Sequence, residues 1–424
     1  MAIAALGLPI TLYLPQFYAG HEGLGLGAVG AVFMLARLWD VITDPAIGVL
    51  SDRFPTRWGR RRPWVVAATP IICLATWFVF LPQGQVSAAY LLFWMLVLYL
   101  GWTMLTIPHL SWGAELSGDY HQRSRIHAFR EAGEIIGVPL VLAAPALIEH
   151  VGGADVEANR IAAMGIFIIV LLPAAVLLNI CLVNEAPAPR QAKLPMRVAL
   201  RTLAANEAFR TLVFADAISA AGGAALGALF LYVVTNVWEL GASASLIMLI
   251  YFLAGLGFVP LIVRASYRFG KHRTLIGCCA FYVLAPPLTL LIPQGDLAAA
   301  ATLMALLGLN VGGAGVLFRS IMADVADLDE LRTGQRRTGL LYSFMALTRK
   351  GASALAVGLT FWAMQFVGFE PSRESSAASI HGLALLFAIT PVVCNLGVIA
   401  LMWRFPIGPD AQAKVRRALE DLPT

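Results

Sequence analysis

The sequence predicts an all-α membrane protein: twelve transmembrane helices arranged as two six-helix halves. Three observations predict it. The 424 residues are 59% hydrophobic and 13% charged, with a mean hydropathy of +0.76, which excludes an ordinary soluble globular chain. Apolar runs recur twelve times, most of them near the ~20 residues a bilayer requires. Lys and Arg collect in alternate connections between those runs.

In the first half the apolar runs cover residues 2–19, 26–50, 64–82, 88–112, 132–149 and 161–183. In the second half they cover 211–236, 242–263, 274–293, 298–322, 339–366 and 380–403. Several contain Gly or Pro, which membrane helices tolerate. The first run lacks a charged leader and a small-residue cleavage site, so it reads as a retained helix and not as a signal peptide. Little precedes it, and a native start before Met1 stays open. The expected organisation is a six-helix bundle over 1–183, a cytoplasmic linker over 184–210, a second bundle over 211–404 and a cytoplasmic tail over 405–424. In that tail Ala411, Val415, Leu419 and Leu422 alternate with charges. The pattern is that of a short amphipathic helix lying on the membrane or packing on the bundle.

One set of connections holds Arg53, Arg57 and Arg60 to Arg62, then Arg123 and Arg125, then Arg190, Lys193, Arg197 and Arg201. The same set continues with Arg264, Arg268, Lys271 and Arg273, with Arg332, Arg336 and Arg337, and with Lys414, Arg416 and Arg417. The opposite connections offer Arg160 and Arg373. The positive-inside rule then puts both termini in the cytoplasm of a multi-pass protein of the cell inner membrane. The net charge of +5 is a topology signal, and no nucleic-acid partner is expected. Cys73, Cys181, Cys278, Cys279 and Cys394 all fall in apolar runs without metal-ligand spacing, so they read as small packing residues. No HExxH, GxSxG or phosphate-cradling glycine loop is present, and no enzyme is expected.

The halves echo each other. Leu50-Ser51-Asp52-Arg53 with Trp58-Gly59-Arg60-Arg61-Arg62 follows the second run, and Arg264 to Arg273, containing Gly270, follows the eighth. Two six-helix repeats related along the membrane normal, with a substrate site between them, describe the major facilitator architecture.

The second run carries the chemistry, in Arg37-Leu38-Trp39-Asp40-Val41-Ile42-Thr43-Asp44-Pro45. Asp40 and Asp44 stand four residues apart, on one helix face. Each intramembrane acid costs roughly 2.5–3.5 kcal/mol on insertion scales, and the usual reason to keep one is an ion or proton pathway. Two neighbouring carboxylates need a cation between them, or one holds a proton. Pro45 lacks an N–H, which frees the carbonyl of Val41 as a hard oxygen ligand. Arg37 can neutralise one acid in an empty site. The competing reading is an Arg37–Asp40–Asp44 ion-pair network that only ties helices together.

That segment, continued by Gly48, Ser51-Asp52-Arg53 and Arg57-Trp58-Gly59-Arg60-Arg61-Arg62-Pro63-Trp64, resembles the signature of the glycoside–pentoside–hexuronide:cation symporters. These are the melibiose-permease-like branch of the major facilitator superfamily. Ile107-Pro108-His109-Leu110-Ser111-Trp112-Gly113-Ala114-Glu115-Leu116, Phe129-Arg130, Met322-Ala323-Asp324-Val325-Ala326-Asp327 and Lys350-Gly351 resemble further segments of that family. The resemblance implies that Asp40 and Asp44, with oxygens from Thr43 and Thr103, bind the coupling cation, Na⁺ or H⁺. It implies a solute-contacting role for Arg130, whose fork of donors suits hydroxyls or carboxylates, against a salt bridge to Glu131 or Glu134. It gives Lys350 a place near the cation and substrate, against a plain positive residue near a helix end. Glu134 and Asp216 read as acids of gate ion pairs before they read as ligands.

One departure bears on the substrate. Melibiose-type members carry a Lys-Asp pair on the first helix, where this chain has the apolar stretch from Met1 to Gly7. Their helix IV Asp-Ile-Pro is Thr106-Ile107-Pro108 here, and Leu110 replaces a sugar-stacking Trp. A site built for many hydroxyls loses strongly when partners are missing, so a disaccharide does not carry over. Thr11, Tyr13, Gln16 and Tyr18, with Trp102, Thr106 and Trp112, suit a smaller or more amphipathic solute. A gate is expected from Arg37, Asp52, Arg53, Arg60, Glu115 and Asp324, with Asp52 set against a helix N-terminus and the arginines against Glu115 or Asp119. The expected activity is cation-coupled symport of a small sugar- or glycoside-like solute by a monomer surrounded by membrane lipid, with no cofactor beyond the ion. The alternative is a lysolipid or other amphipathic-solute transporter of the same fold. A transport-dead sensor fits poorly with retained Asp40, Asp44 and Arg130.

Overall fold

A computed structural model describes residues 2–53, 56–84, 86–116, 133, 137, 140–142, 156–183, 185, 206–334, 338–371 and 376–420. Its regular elements are helices. The first, α1 (residues 2–21), alternates α- and π-turns as Ala2–Leu8, Pro9–Tyr13, Leu14–Gln16 and Phe17–His21. Pro9 and Pro15 each lack an N–H, and wider turns form where the regular ladder loses a donor. Then come α2 (Leu26–Arg53), α3 (Arg62–Phe80), α4 (Ala88–Glu115) and α5 (Val156–Leu182). After them follow α6 (Glu207–Asn236), α7 (Ala244–Phe269), α8 (Lys271–Leu284), α9 (Leu297–Leu307) and α10 (Leu309–Thr333). The last three are α11 (Thr338–Phe366), α12 (Ala377–Met402) and α13 (Pro409–Glu420).

Helix starts follow local chemistry. Ser87 accepts the N–H of Tyr90 at 3.1 Å to open α4, and Asp296 accepts that of Ala299 at 2.9 Å to open α9. Asn206 does the same for Phe209 ahead of α6. Each side chain satisfies one of the donors a helix leaves free at its first turn. The end of α10 is set by Gly334, left-handed at φ 66°, whose N–H reaches Glu330 O at 2.8 Å.

Eight helices among the described residues are long and apolar enough to cross a membrane. They are Leu26–Ser51, Arg62–Phe80, Ala88–Gly113, Glu157–Leu182, Glu207–Asn236, Gly241–Phe269, Lys271–Leu291 and Ala377–Met402. The other four expected spans differ for separate reasons. The first is the π-interrupted α1. The fifth, 132–149, lies largely outside the described residues. The tenth is divided at Gly308 into α9 and α10. The eleventh is the continuous α11, whose length is ample but whose middle carries Arg349 and Lys350. Outward faces are apolar, as at Val170, Leu177, Leu178 and Leu182 on α5 and Ile389, Val393 and Leu396 on α12. That is the pattern of surface that meets lipid.

Two compact units emerge. One comprises Met1–Arg190, Phe230–Leu249 and Val357–Leu383, the other Gln191–Leu229, Ile250–Ala356 and Ala384–Thr424. In the first, α4 lies along both α2 and α3, and α3 also packs on α5. Gly101 lets α4 approach α3 closely, because a Cβ there would stand 2.7 Å from Ile72 Cγ1. The same unit holds Phe361 and Phe369 edge-on to Tyr232. In the second, α8 packs on α10 and α10 on α13, around a core that includes Leu212, Phe318, Met322, Val325, Leu341 and Met402. The tail helix therefore packs on its bundle: Val415 is buried, and Gln412 Nε2 donates to Asp327 Oδ2 at 2.8 Å.

Candidate functional site: a carboxylate pair on α2

The i, i+4 spacing of Asp40 and Asp44 turns both acids toward α4. Thr103 on α4 meets them with its hydroxyl 2.6 Å from Asp40 Oδ1 and 3.0 Å from Asp44 Oδ1. Thr43 Oγ1 lies 3.2 Å from the same hydroxyl and 3.2 Å from the Trp39 carbonyl. Thr103 is fully enclosed, Asp40 and Thr43 are buried, and Asp44 is half-buried. The structure thus gathers the four residues expected to form a cation site. Every donor atom in the group is a hard oxygen, which fits a proton or an alkali cation and not a soft metal. Among the described residues no cluster of three or more His, Cys, Asp or Glu side chains could hold a metal ion.

A threonine hydroxyl has a single proton to donate, and two carboxylate oxygens share it. Held about 5 Å apart, two carboxylates repel by about 3 kcal/mol at an effective dielectric of about 20. A monovalent cation seated between them removes that cost. Arg37 lies half-buried on the preceding turn.

The expected solute-lining residues fall on several helices. Tyr13 is buried, with its hydroxyl 2.8 Å from Ser245 Oγ and the Arg160 guanidinium 5.1 Å over its ring. Gln16 Nε2 stands 3.5 Å from Thr235 Oγ1, and Pro15 O accepts from Tyr232 at 3.2 Å. Both residues of α1 therefore tie that helix to the stretch 230–249. Thr106 is half-buried and bonds its own helix at Trp102 O. Trp112 is buried with the Arg62 guanidinium 5.7 Å over its ring. Lys350 lies half-buried on α11 in the second unit. Arg130 lies outside the described residues, as do Glu134, Asp119 and the side chains of Asp52, Arg53 and Glu115.

Around the α2–α3 connection the structure supplies a partner that sequence reasoning missed. Glu185, just past α5, takes the main-chain N–H groups of Arg60 at 2.7 Å, Arg61 at 2.8 Å and Arg62 at 3.3 Å. A carboxylate thus closes the N-terminus of α3, where the helix dipole favours negative charge. Gly59 makes this approach feasible: its φ is 114°, and a Cβ would fall 2.1 Å from Glu185 Oε2. Arg61 Nη1 reaches the buried Ser51 Oγ at 2.8 Å, and Arg62 Nη2 reaches Val183 O at 2.7 Å. The available signal was a lone acid at the head of the basic linker, opposite an Arg-rich loop. In the other half Gly270 (φ 87°) precedes Lys271, whose Nζ lies 2.6 and 2.7 Å from the two oxygens of Asp324. Asp324, expected in a gate, is thereby tied between α8 and α10.

Apolar helices of membrane length around a buried, oxygen-lined carboxylate pair define a multi-pass membrane transport protein. The family described as MFS/sugar transport protein matches residues 1–409, and the chain belongs to that family. Among its relatives is the putative glycoside/cation symporter YagG of Escherichia coli (strain K12), 25% identical over 92% of this chain and 86% of the relative. The sodium-dependent lysophosphatidylcholine symporter 1 of Homo sapiens is 24% identical over 99% of this chain and 85% of the relative. Among solved structures, the nucleoside transporter NupG superposes with a TM-score of 0.67 at 14% identity, over 95% of this chain and 96% of that one. The fold is that of the major facilitator superfamily.

Proposed function

We propose that this chain is a cation-coupled symporter of a small, sugar- or glycoside-like solute, with Asp40, Asp44, Thr43 and Thr103 as the cation site. The observation that carries the reading is the single Thr103 hydroxyl shared by two carboxylates. A site in which two close carboxylates and two hydroxyls bring hard oxygens together binds Na⁺ or H⁺ and releases it when the surroundings change. The described relatives that couple solute to cation support the same reading.

The reading includes twelve transmembrane helices in two six-helix halves, an inner-membrane location, both termini in the cytoplasm, and a monomer that performs no enzymatic reaction. Arg130 and Lys350 contact the solute, and Asp52, Arg53, Arg60, Glu115 and Asp324 act in gating. Alternating access then exposes the α2 pair to one side of the membrane at a time. The test is uptake into proteoliposomes of tritiated sugars, glycosides, uronates and lysolipids under imposed Na⁺ or H⁺ gradients. Gradient-driven uptake of one solute that vanishes in Asp40→Asn and Asp44→Asn is the expected result. Signal from lysolipids alone moves the reading to an amphipathic-solute transporter of the same fold.

A further inference from the structure

Among the eight membrane-length helices α7 is the least enclosed, and its exposed residues follow one stripe. Leu253, Leu256 and Leu261 lie exposed on it, with Gly257 and Pro260 between them. The stripe continues into Arg264, Tyr267 and Arg268, all three exposed. At about 100° per residue these positions fall within about 140° of arc. From Leu253 to Arg264 the helix covers about 16 Å, close to the ~15 Å of one leaflet's hydrocarbon. A Cβ at Gly257 would meet nothing within 4 Å, so the stripe is notched about 10 Å along the helix from Arg264.

The charges that end the stripe are uncompensated. No Asp or Glu occurs from residue 240 to residue 295. Among the described residues neither Arg264 nor Arg268 makes a hydrogen bond or ion pair. The Arg268 guanidinium lies 5.4 Å over the Phe269 ring, whereas nearby Lys271 is taken up by Asp324. Four residues apart on a helix, the two arginines start about 5–6 Å from each other at Cβ and can reach one ligand. Topology accounts for basic residues in this connection, and the helix dipole favours cations at this end. Neither effect puts two unpaired arginines in line with an apolar stripe one leaflet long. A phosphodiester supplies what the pair lacks, because guanidinium forks take phosphate oxygens two at a time. The ammonium of a zwitterionic headgroup would find no carboxylate on α7 or α8, so the fit is to a headgroup with net negative charge.

We propose that the α7 stripe is a binding site for an anionic phospholipid. Arg264 and Arg268 hold the headgroup phosphate, and an acyl chain lies along Leu253 to Leu261 through the notch at Gly257. Tyr267 and Phe269, both exposed, sit at headgroup level, where aromatic rings are favoured. The assignment needs the membrane fold alone and not the cation-coupling reading.

The test is native mass spectrometry of the purified full-length chain, titrated in detergent with phosphatidylglycerol or with phosphatidylcholine of the same acyl chains. At least fivefold tighter binding of the first phosphatidylglycerol is expected. Arg264→Gln and Arg268→Gln each weaken it at least threefold, and the double variant removes the preference. Arg404→Gln, which removes a lone exposed arginine beside exposed Trp403 just past α12, leaves it intact. Thermal unfolding gives a second reading. Phosphatidylglycerol raises the melting temperature of the wild type and not of the double variant, while inorganic phosphate at matched ionic strength raises neither. Both arginines are exposed and unpaired, so the double variant keeps the wild-type melting temperature without lipid. The proposal is overturned if the two lipids bind alike or if Arg404→Gln costs as much as Arg264→Gln. It is equally overturned if inorganic phosphate reproduces the shift, or if the lipid-free double variant is destabilised.

Discussion

Replacing Asp44 by Asn keeps the shape of the side chain and removes one of the two charges that share the Thr103 hydroxyl. A monovalent cation about 3 Å from a carboxylate gains about 5 kcal/mol at an effective dielectric near 20. The amide oxygen of Asn retains part of that attraction as a neutral ligand. The expected loss in cation affinity is about 3 kcal/mol, or roughly a hundredfold at 1.4 kcal/mol per decade. Thermal unfolding in detergent, titrated with NaCl against choline chloride and with pH, reads it directly. At a cation concentration a hundred times the dissociation constant, binding stabilises the wild type by about 2.7 kcal/mol. At that same concentration a hundredfold weaker site gains only about 0.4 kcal/mol, so the cation-dependent shift in melting temperature nearly disappears. Gradient-driven uptake is expected to fall in parallel. A structural role predicts something else: breaking a buried pair costs about 3–5 kcal/mol of stability in cation-free buffer and leaves the cation dependence unchanged. That pattern, or uptake equal to wild type, would refute the assignment.

Three other outcomes follow from named contacts. Glu185→Ala strips a carboxylate from three N–H groups at the head of α3 and is expected to destabilise by about 1–2 kcal/mol; limited trypsin digestion should cut faster after Arg60 and Arg61. Gly101→Val drives a side chain into Ile72 across the α3–α4 contact, at about 1–3 kcal/mol for overpacking, read as a lower melting temperature in size-exclusion thermostability. Asp324→Asn removes the partner of Lys271, whose side chain is 35% exposed, so solvent screening limits the loss to about 1 kcal/mol. Adding Lys271→Met to Asp324→Asn should restore most of it in the same unfolding assay.

Much of the class was legible because the bilayer enforces it locally. Apolar runs of membrane length and one-sided basic loops are properties of consecutive residues, and they led to the transport fold that the family match and the structural likeness to NupG also show. Span counting was less secure where local chemistry competes. Pro9 and Pro15 interrupt α1, and Gly308 divides the tenth run. Arg349 and Lys350 dilute the eleventh.

The sequence by itself determined the carboxylate pair, because spacing by four on a membrane helix leaves two acids on one face and makes both too costly to be incidental. Only the tertiary structure decided what stands opposite each charge. Thr103 lies about sixty residues from the aspartates and meets them because α4 lies along α2. Glu185 faces the arginine loop because the end of α5 comes to the start of α3. Asp216 and Arg349 stand 133 positions apart in the chain and meet across α6 and α11. Tyr13 and Gln16 of α1 bond Ser245 and Thr235, more than two hundred positions on. Helical periodicity specifies which face a side chain takes, whereas the partner on the facing helix depends on how packing brings distant segments together.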